Sequence, residues 1–324
     1  MIAPVLLASI AFGQGAERHA WVDDLAAGHG LTEAQADAVR AIAVASDRLG
    51  QGLPGPTSHP MTTSTCEQRR SEAGLGSPTP EQQAVCGRPW MVPLYDPATQ
   101  EPGDAPACID QYEFPGLPCR YPLVWVRAVE AAQMCEAIGK RLCDAHEWEG
   151  GCAGALRPPD YPFDQVAGKQ PAAAQAAMRT AHNKIEESTQ SWSTGASRPA
   201  AGVCAQGSTK SQACDGSDPK RCGSNTYPTG AFPRCASPLG VYDLNGNAAE
   251  HMNLPLTADQ LAANGRPLGV TEMKGSWFIF DSYVAHEDWC RWRAPYWHGG
   301  AVEAPDSHRN YHLGFRCCAN VERQ

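Results

Sequence analysis

The chain has 324 residues, of which 42% are apolar and 19% charged, enough to bury one sizeable core or two small ones and unlike a disordered tail. Its net charge of −9, with no basic block, argues against a nucleic-acid partner or an anionic membrane surface. With 31 glycines and 27 prolines it fits a loop-rich fold better than a helix bundle.

The 14 cysteines are an even number, spread along the chain with no C-x-x-C pair, and read as a disulfide framework in an oxidising compartment. Structural zinc is disfavoured because its ligands usually come in closely spaced pairs. The start, from Met1 to Phe12, is an apolar run followed by small residues, so residues 1–16 are read as a signal peptide. That run is too short to cross a bilayer, and no transmembrane segment is expected later.

Thr32 with Gln35 three residues on forms a capping box, and an alanine-rich helix is predicted from there to about Leu49. Residues 50–60 carry Gly and Pro punctuation, and residues 61–88 are polar. Residues 17–88 are therefore read as a small N-terminal extension with one helix, with Cys66 and Cys86 a candidate pair. Residues 89–324 form the main domain. Pro122-Leu123-Val124-Trp125-Val126 is a short strand signal. Ala128, Ala132, Cys135 and Ile138 share a helical face, and Gly139 stands where that helix would stop. Asp144 and Glu147 repeat the capping pattern and open a short helix with Trp148 and Cys152 on one side. Residues 153–235 read as an irregular excursion held by disulfides.

Five pieces then fall in order. They are Cys108-Ile109-Asp110-Gln111-Tyr112-Glu113; Gly139-Lys140-Arg141-Leu142-Cys143 with Glu147-Trp148-Glu149; Gly240 through Glu250 with Asn245-Gly246-Asn247; Gly275-Ser276-Trp277; and Gly314-Phe315-Arg316. Together they resemble the sulfatase-modifying-factor domain of formylglycine-generating enzymes. The resemblance implies an α+β, C-type-lectin-like fold, loop-rich and low in regular secondary structure, over roughly residues 90–318. Trp148, Trp277 and Phe315 beside glycines are expected to be scaffold, and Arg141 and Arg316 to pair with buried carboxylates or carbonyls.

In the family the segment matching residues 275–284 carries two copper-binding cysteines, and this chain has Ile279 and Val284 there. Copper, a soft ion that needs those thiolates, is disfavoured, and no catalytic residue is assigned. Sliding Cys290 toward the second position leaves the first unfilled, and Cys290 is better used in a disulfide with Cys317 or Cys318. The matching G-N-x-x-E segment of the family binds calcium, so the resemblance offers Asn247 and Glu250 as calcium ligands. A second calcium site would fall near Asn183, and Asp215-Gly216-Ser217-Asp218 has calcium-like composition or is simply a turn.

Three readings follow. An oxidase of the formylglycine-generating type lacks its thiolates. A non-haem iron enzyme of the same superfamily would need a histidine-bearing bundle, and His19, His29 and His59 lack the close spacing of such ligands. The favoured reading is a secreted, non-catalytic module that binds a carbohydrate, peptide or protein through Trp289, Trp292, Tyr296, Trp297, Tyr311 and His312, with about half of these aromatics buried. Arg291, Arg293 and Arg309 are interleaved with them, and residues 307–312 lie just before the final G-F-R, where related lectin-like scaffolds display variable residues. His286, His298, His308 and His312 are a further group able in principle to hold a metal, though such histidines are more often scattered rim residues.

Overall fold

The computed structural model describes residues 19–51, 59, 61–76, 79–209, 225–294 and 300–322. The leader expected at residues 1–16 therefore lies outside the described residues, as do Tyr296, Trp297, His298, Cys214, Cys222 and the Asp215-Gly216-Ser217-Asp218 turn.

The extension is richer than expected and, among its described residues, forms four helices, not one: α1 (Trp21–His29), α2 (Glu33–Ala45), α3 (Thr63–Glu72) and α4 (Pro80–Cys86). The capping box predicted for α2 is present, since Gln35 N donates to Thr32 Oγ1 at 3.3 Å and Thr32 N to Gln35 Oε1 at 3.0 Å. The helix ends at Ala45, where Ser46 turns to extended backbone, rather than running on to Leu49. The polar helices α3 and α4 were not predicted because they have no apolar stripe. Inside α3 only Cys66 and Arg70 are buried, and inside α4 only Cys86. Thr79 with Gln82, and Pro80 in the first turn, nonetheless mark the start of α4.

The extension is built into the main core. Trp21, Val22, Leu25, Val39 and Leu49 share one apolar cluster with Phe114, Val126, Met134 and Phe315. The Trp21 ring meets Phe114 edge-on at 6.0 Å, and Phe114 stacks on Phe315 at 4.4 Å. A two-residue strand, β1 (Gly50–Gln51), pairs antiparallel with β4 (Leu123–Val124).

Two small sheets organise the rest. The first has the order β2-β3-β9-β5, with β2 (Met91–Leu94), β3 (Ala107–Asp110), β5 (Arg141–Leu142) and β9 (Cys317–Asn320), all antiparallel. The second has β6 (Ala249–Leu254) at its centre, antiparallel to β7 (Val270–Lys274) and parallel to β8 (Leu313–Phe315). The predicted helices appear as α5 (Ala128–Ala137) and α6 (Ala145–Ala153), and Trp148 and Cys152 of α6 lie in one core cluster. The stretch read as an irregular excursion holds a short α7 (Phe163–Val166) and the 16-residue α8 (Pro171–Glu186). Its alanines gave no apolar periodicity, and α8 buries polar side chains, Gln175, Arg179, His182 and Glu186, beside Ala174 and Met178.

Six disulfides staple the described residues: Cys66–Cys119, Cys86–Cys108, Cys135–Cys317, Cys143–Cys318, Cys152–Cys290 and Cys204–Cys235. Cys66 does not pair with Cys86; both reach instead from the extension into the main domain. Nor does Cys290 pair with Cys317 or Cys318. These two neighbours on β9 point to opposite faces, as successive strand residues must, and each meets a different partner. The result is a mixed α+β, loop-rich fold with little regular structure.

Candidate functional site

Beyond β7 the chain turns at Gly275, whose φ of +75° and lack of a Cβ are both required. A Cβ there would stand 2.9 Å from Leu244 O and 3.3 Å from Trp148 Cζ2. The turn launches a loop held by backbone bonds: Phe278 N donates to Asn247 O at 3.0 Å, and Asp281 N to Gln206 O at 3.1 Å. The Ile279 carbonyl accepts from Ser282 N and Tyr283 N at 3.0 Å and from Ser282 Oγ at 2.9 Å. Ile279 is 6% exposed and belongs to an apolar cluster with Trp277, Phe278, Phe280 and Tyr311. Val284 is 55% exposed beside Tyr283 at 60%, so the two cysteine positions of the resemblance have opposite environments, one plugged and one open.

Aromatic rings gather around this loop. His312 stacks on Trp277 at 4.3 Å, and His286 stacks on Trp292 at 4.9 Å while touching Trp277 and Phe280 at 5.3 and 5.4 Å. Arg198 lies 4.9 Å over Phe280 and donates to Asp288 at 3.1 Å. Burial lowers the pKa of His286, whose Nδ1 meets Glu287 O at 2.6 Å, so the ring is neutral with Nδ1 donating. Its Nε2 is buried without a partner among the described residues. Asp281 at the rim has its carboxyl raised, mainly by burial.

An ionic layer of buried groups fixes the floor. Glu149 of α6 accepts from Arg293 Nε at 2.8 Å, Arg293 Nη2 at 3.1 Å and Lys274 Nζ at 2.6 Å. Burial alone would raise the Glu149 carboxyl, but Arg293 and Lys274 outweigh it and hold it well below the usual range. Arg179 of α8 donates to Glu272 at 2.7 Å, and Asn183 of the same helix donates to Arg293 O at 2.7 Å. Glu149, Asp160 and His182 come close enough to suit a cation. Arg293 also donates to Asp160 at 2.9 Å, however, so a guanidinium already supplies the positive charge.

The sequence-derived residues divide accordingly. Trp289 is 4% exposed, placed inside by its neighbour Cys290 in the disulfide to α6, and is not a surface residue. Tyr311 and His312 are also buried, at 9% and 8%, and contribute ring edges to the loop cluster rather than an open face. Trp292 is half-buried with its carbonyl on Lys274 at 2.6 Å. Arg291 and Arg293 are buried in the ionic layer, and Arg309 pairs with Asp47. Sequence reasoning missed Tyr283; its place in the loop between the two altered cysteine positions was the available signal.

Asn247 and Glu250 sit at the start of β6. Asn247 Oδ1 accepts from Tyr227 N at 2.7 Å, and its Nδ2 donates to Glu113 at 2.6 Å. Both Glu250 oxygens are engaged, by Arg316 at 2.6 and 2.7 Å and by Trp148 Nε1 at 2.8 Å. As arranged, these residues turn no free oxygen pair to calcium, and Asn183 is likewise committed to Arg293. His29 and His59 of the extension serve separate carbonyls, Pro115 O at 2.8 Å and Thr226 O at 3.0 Å.

This mixed α+β scaffold, with its glycine-launched loop beside a parallel β6–β8 pair, is of the C-type-lectin-like class. The Sulfatase-modifying factor enzyme 1-like domain matches residues 117–321, and the chain belongs to that family, which includes enzymes. No curated protein matches the chain. Among solved structures it is similar to one described as "Crystal Structure of CarF", at 15% identity over 82% of this chain and 85% of that one, with a TM-score of 0.23.

Proposed function

We propose that this disulfide-rich member of the family is an exported, non-catalytic binding module that takes a carbohydrate at the 277–292 loop. The carrying observation is the pairing of Trp277 with His312 and His286 with Trp292 around a loop that leaves Tyr283 exposed. The buried ring pairs brace the loop, the exposed Tyr283 ring and the half-buried Trp292 offer the faces on which a sugar ring can stack, and Arg198, Asp281 and Ser282 supply hydrogen-bonding groups at the rim. The absence of thiols at the loop supports the non-catalytic half of the reading: Ile279 is an apolar plug, and Cys290 is spent in a disulfide with Cys152. The six disulfides among the described residues fit an oxidising compartment and hence export.

The test is a glycan array probed with the full chain. Saturable binding that falls at least about tenfold in Tyr283→Ala or Trp292→Ala is expected, as for a stacked aromatic anchor. Capture of peptides but no glycan would replace the ligand class. A copper-loaded sample that oxidises a sulfatase-type cysteine peptide above a metal-only control would overturn the non-catalytic reading.

A further inference from the structure

We infer that the cavity between the extension and the main domain is a binding site for a small primary amine, its ammonium held by Asp24 and Glu67 and its apolar body by Trp90. The cavity has a volume of about 680 Å³, in the range of small-molecule sites, and lies between α1, α3 and the segment from Leu117 to Arg120. Leu75, Leu117 and Ala27 line it together with Trp90.

The walls are fixed before any ligand arrives. Trp90 has a φ of +59° and Cys119 of +58°, left-handed backbone that residues other than glycine seldom take, bulky ones least of all. Two such residues on one cavity must be held by their surroundings. Trp90 is held by its indole, whose Nε1 donates to Gly28 O of α1 at 3.2 Å, and by its carbonyl, which accepts from Gln111 N at 2.8 Å. Cys119 is held by its disulfide to Cys66 of α3 and by its N–H, which donates to Thr229 O at 2.9 Å. Gly28 and Cys119 are themselves part of the lining, so these ties set the spacing of its sides. Helix α1 comes so close that a Cβ on Gly28 would stand 2.4 Å from Leu117 Cδ2.

Charge at the mouth selects the ligand. Asp24 and Glu67 share one guanidinium: Arg120 Nε donates to Asp24 Oδ2 at 2.9 Å, while Glu67 stands 3.8 Å from Arg120 Nη1, beyond hydrogen-bond reach. All three line the cavity, and neither carboxylate meets another cation among the described residues. Arg70, the remaining cation of the lining, hydrogen-bonds Tyr112 and Tyr242 and stands over their rings at 5.1 and 5.6 Å, away from the mouth. Two carboxylates against one guanidinium leave one negative charge, which opposes an anion and favours a monocation. A primary ammonium brings three N–H donors to the two carboxylates, and an apolar body answers Trp90, Leu75 and Leu117.

Isothermal titration of the full chain with 2-phenylethylamine, protonated at neutral pH, and with 2-phenylethanol, its uncharged analogue of the same size, tests this. Saturable binding of the amine in the millimolar range or tighter is expected, with the alcohol at least about fivefold weaker, as for two partly exposed ion pairs. Joint Asp24→Asn and Glu67→Gln substitution should weaken the amine by about the same factor and leave the alcohol unchanged. Raising the salt to about 1 M should narrow the gap between the two ligands. Leu75→Trp, which fills the cavity and leaves both carboxylates in place, should abolish binding of the amine. The carboxylates are 49% and 61% exposed, so their double variant folds and decides the matter should Leu75→Trp not fold. The site does not rest on the carbohydrate reading, so Tyr283→Ala should bind the amine like the parent. No saturable binding, equal binding of the alcohol, undiminished binding in the double variant, or binding that survives in a folded Leu75→Trp chain would each overturn the assignment.

Discussion

Arg316 holds together the centre of the main domain. Fully buried, it donates to both oxygens of Glu250, to Tyr242 O at 2.9 Å and to Asp110 O at 3.1 Å, joining β8 and β9 to β6 and to the end of β3. Removing the carboxylate strands this charge, so Glu250→Ala is expected to destabilise by about 3–5 kcal/mol, read as a lower urea midpoint. Because Arg316 occupies both Glu250 oxygens, added calcium is expected to leave the melting temperature of the parent unchanged; a calcium-dependent rise that disappears in Glu250→Gln would restore calcium as the ligand. The need of Arg316 and Arg141 for buried partners was legible in the sequence, and the structure supplies Glu250 and Glu147. Which aromatics reach solvent was not. Trp289 looks like a surface anchor until Cys290 is seen bonded to Cys152, a pairing no local pattern encodes. Tyr283 stands out only once the loop's hydrogen bonds turn it outward.

Among the elements, those with both a cap and an apolar face were readable, whereas the capped but polar α4 and the helix stabilised by distant polar partners were not. The α2 and α6 starts follow from Thr32 with Gln35 and Asp144 with Glu147, because the capping residues lie three positions apart in the chain itself. Helix α8 depends on Arg179 meeting Glu272 and on Asn183 meeting Arg293, contacts about a hundred residues away in sequence that only the fold creates. Element docking also sets a pH dependence. His29, the last residue of α1, is pushed down to about 4, chiefly by burial and then by the Lys140 charge, while it bonds Pro115 O. His251 on β6 is pushed down to about 3 by burial, bonded to Val126 O. Both are neutral in the folded chain and titrate near 6.5 when unfolded, so the unfolded state binds more protons below that pH. Their stabilising contribution is complete above about pH 6.5 and is lost as pH falls, at up to ~1.4 kcal/mol per pH unit for each histidine. Urea midpoints measured from pH 7 to pH 4.5 should therefore fall, and His29→Gln should flatten that fall. A slope unchanged in His29→Gln would mean that the histidine takes up protons equally in the folded and unfolded states.

At the scale of the molecule, the extension and the matched domain share one core, although the family match begins only at residue 117. Composition foretold the disulfide framework, but chain proximity misled the pairing, since Cys66 and Cys86 lie close in sequence and still reach across to Cys119 and Cys108. These two bridges, the β1–β4 pair and the Trp21–Phe114 contact make the described residues of the extension part of the scaffold, not an appendage. A chain beginning at residue 89 would lose Trp21, Val22, Leu25, Val39 and Leu49 from the shared cluster, uncovering Phe114 and Met134, and would leave Cys108 and Cys119 without their partners. Each lost native disulfide costs on the order of 2–5 kcal/mol, and each large apolar side chain removed from a core a comparable amount. Together these exceed the roughly 5–15 kcal/mol by which domains of this kind are stable. The truncated chain is therefore expected to show no cooperative thermal transition and to react with a thiol reagent at Cys108 and Cys119, whereas the parent, with twelve of its 14 cysteines in the six bridges, should offer at most the two outside them. A truncated chain that melts cooperatively at the parental temperature would show instead that the main domain carries its own core and that the extension merely lies against it.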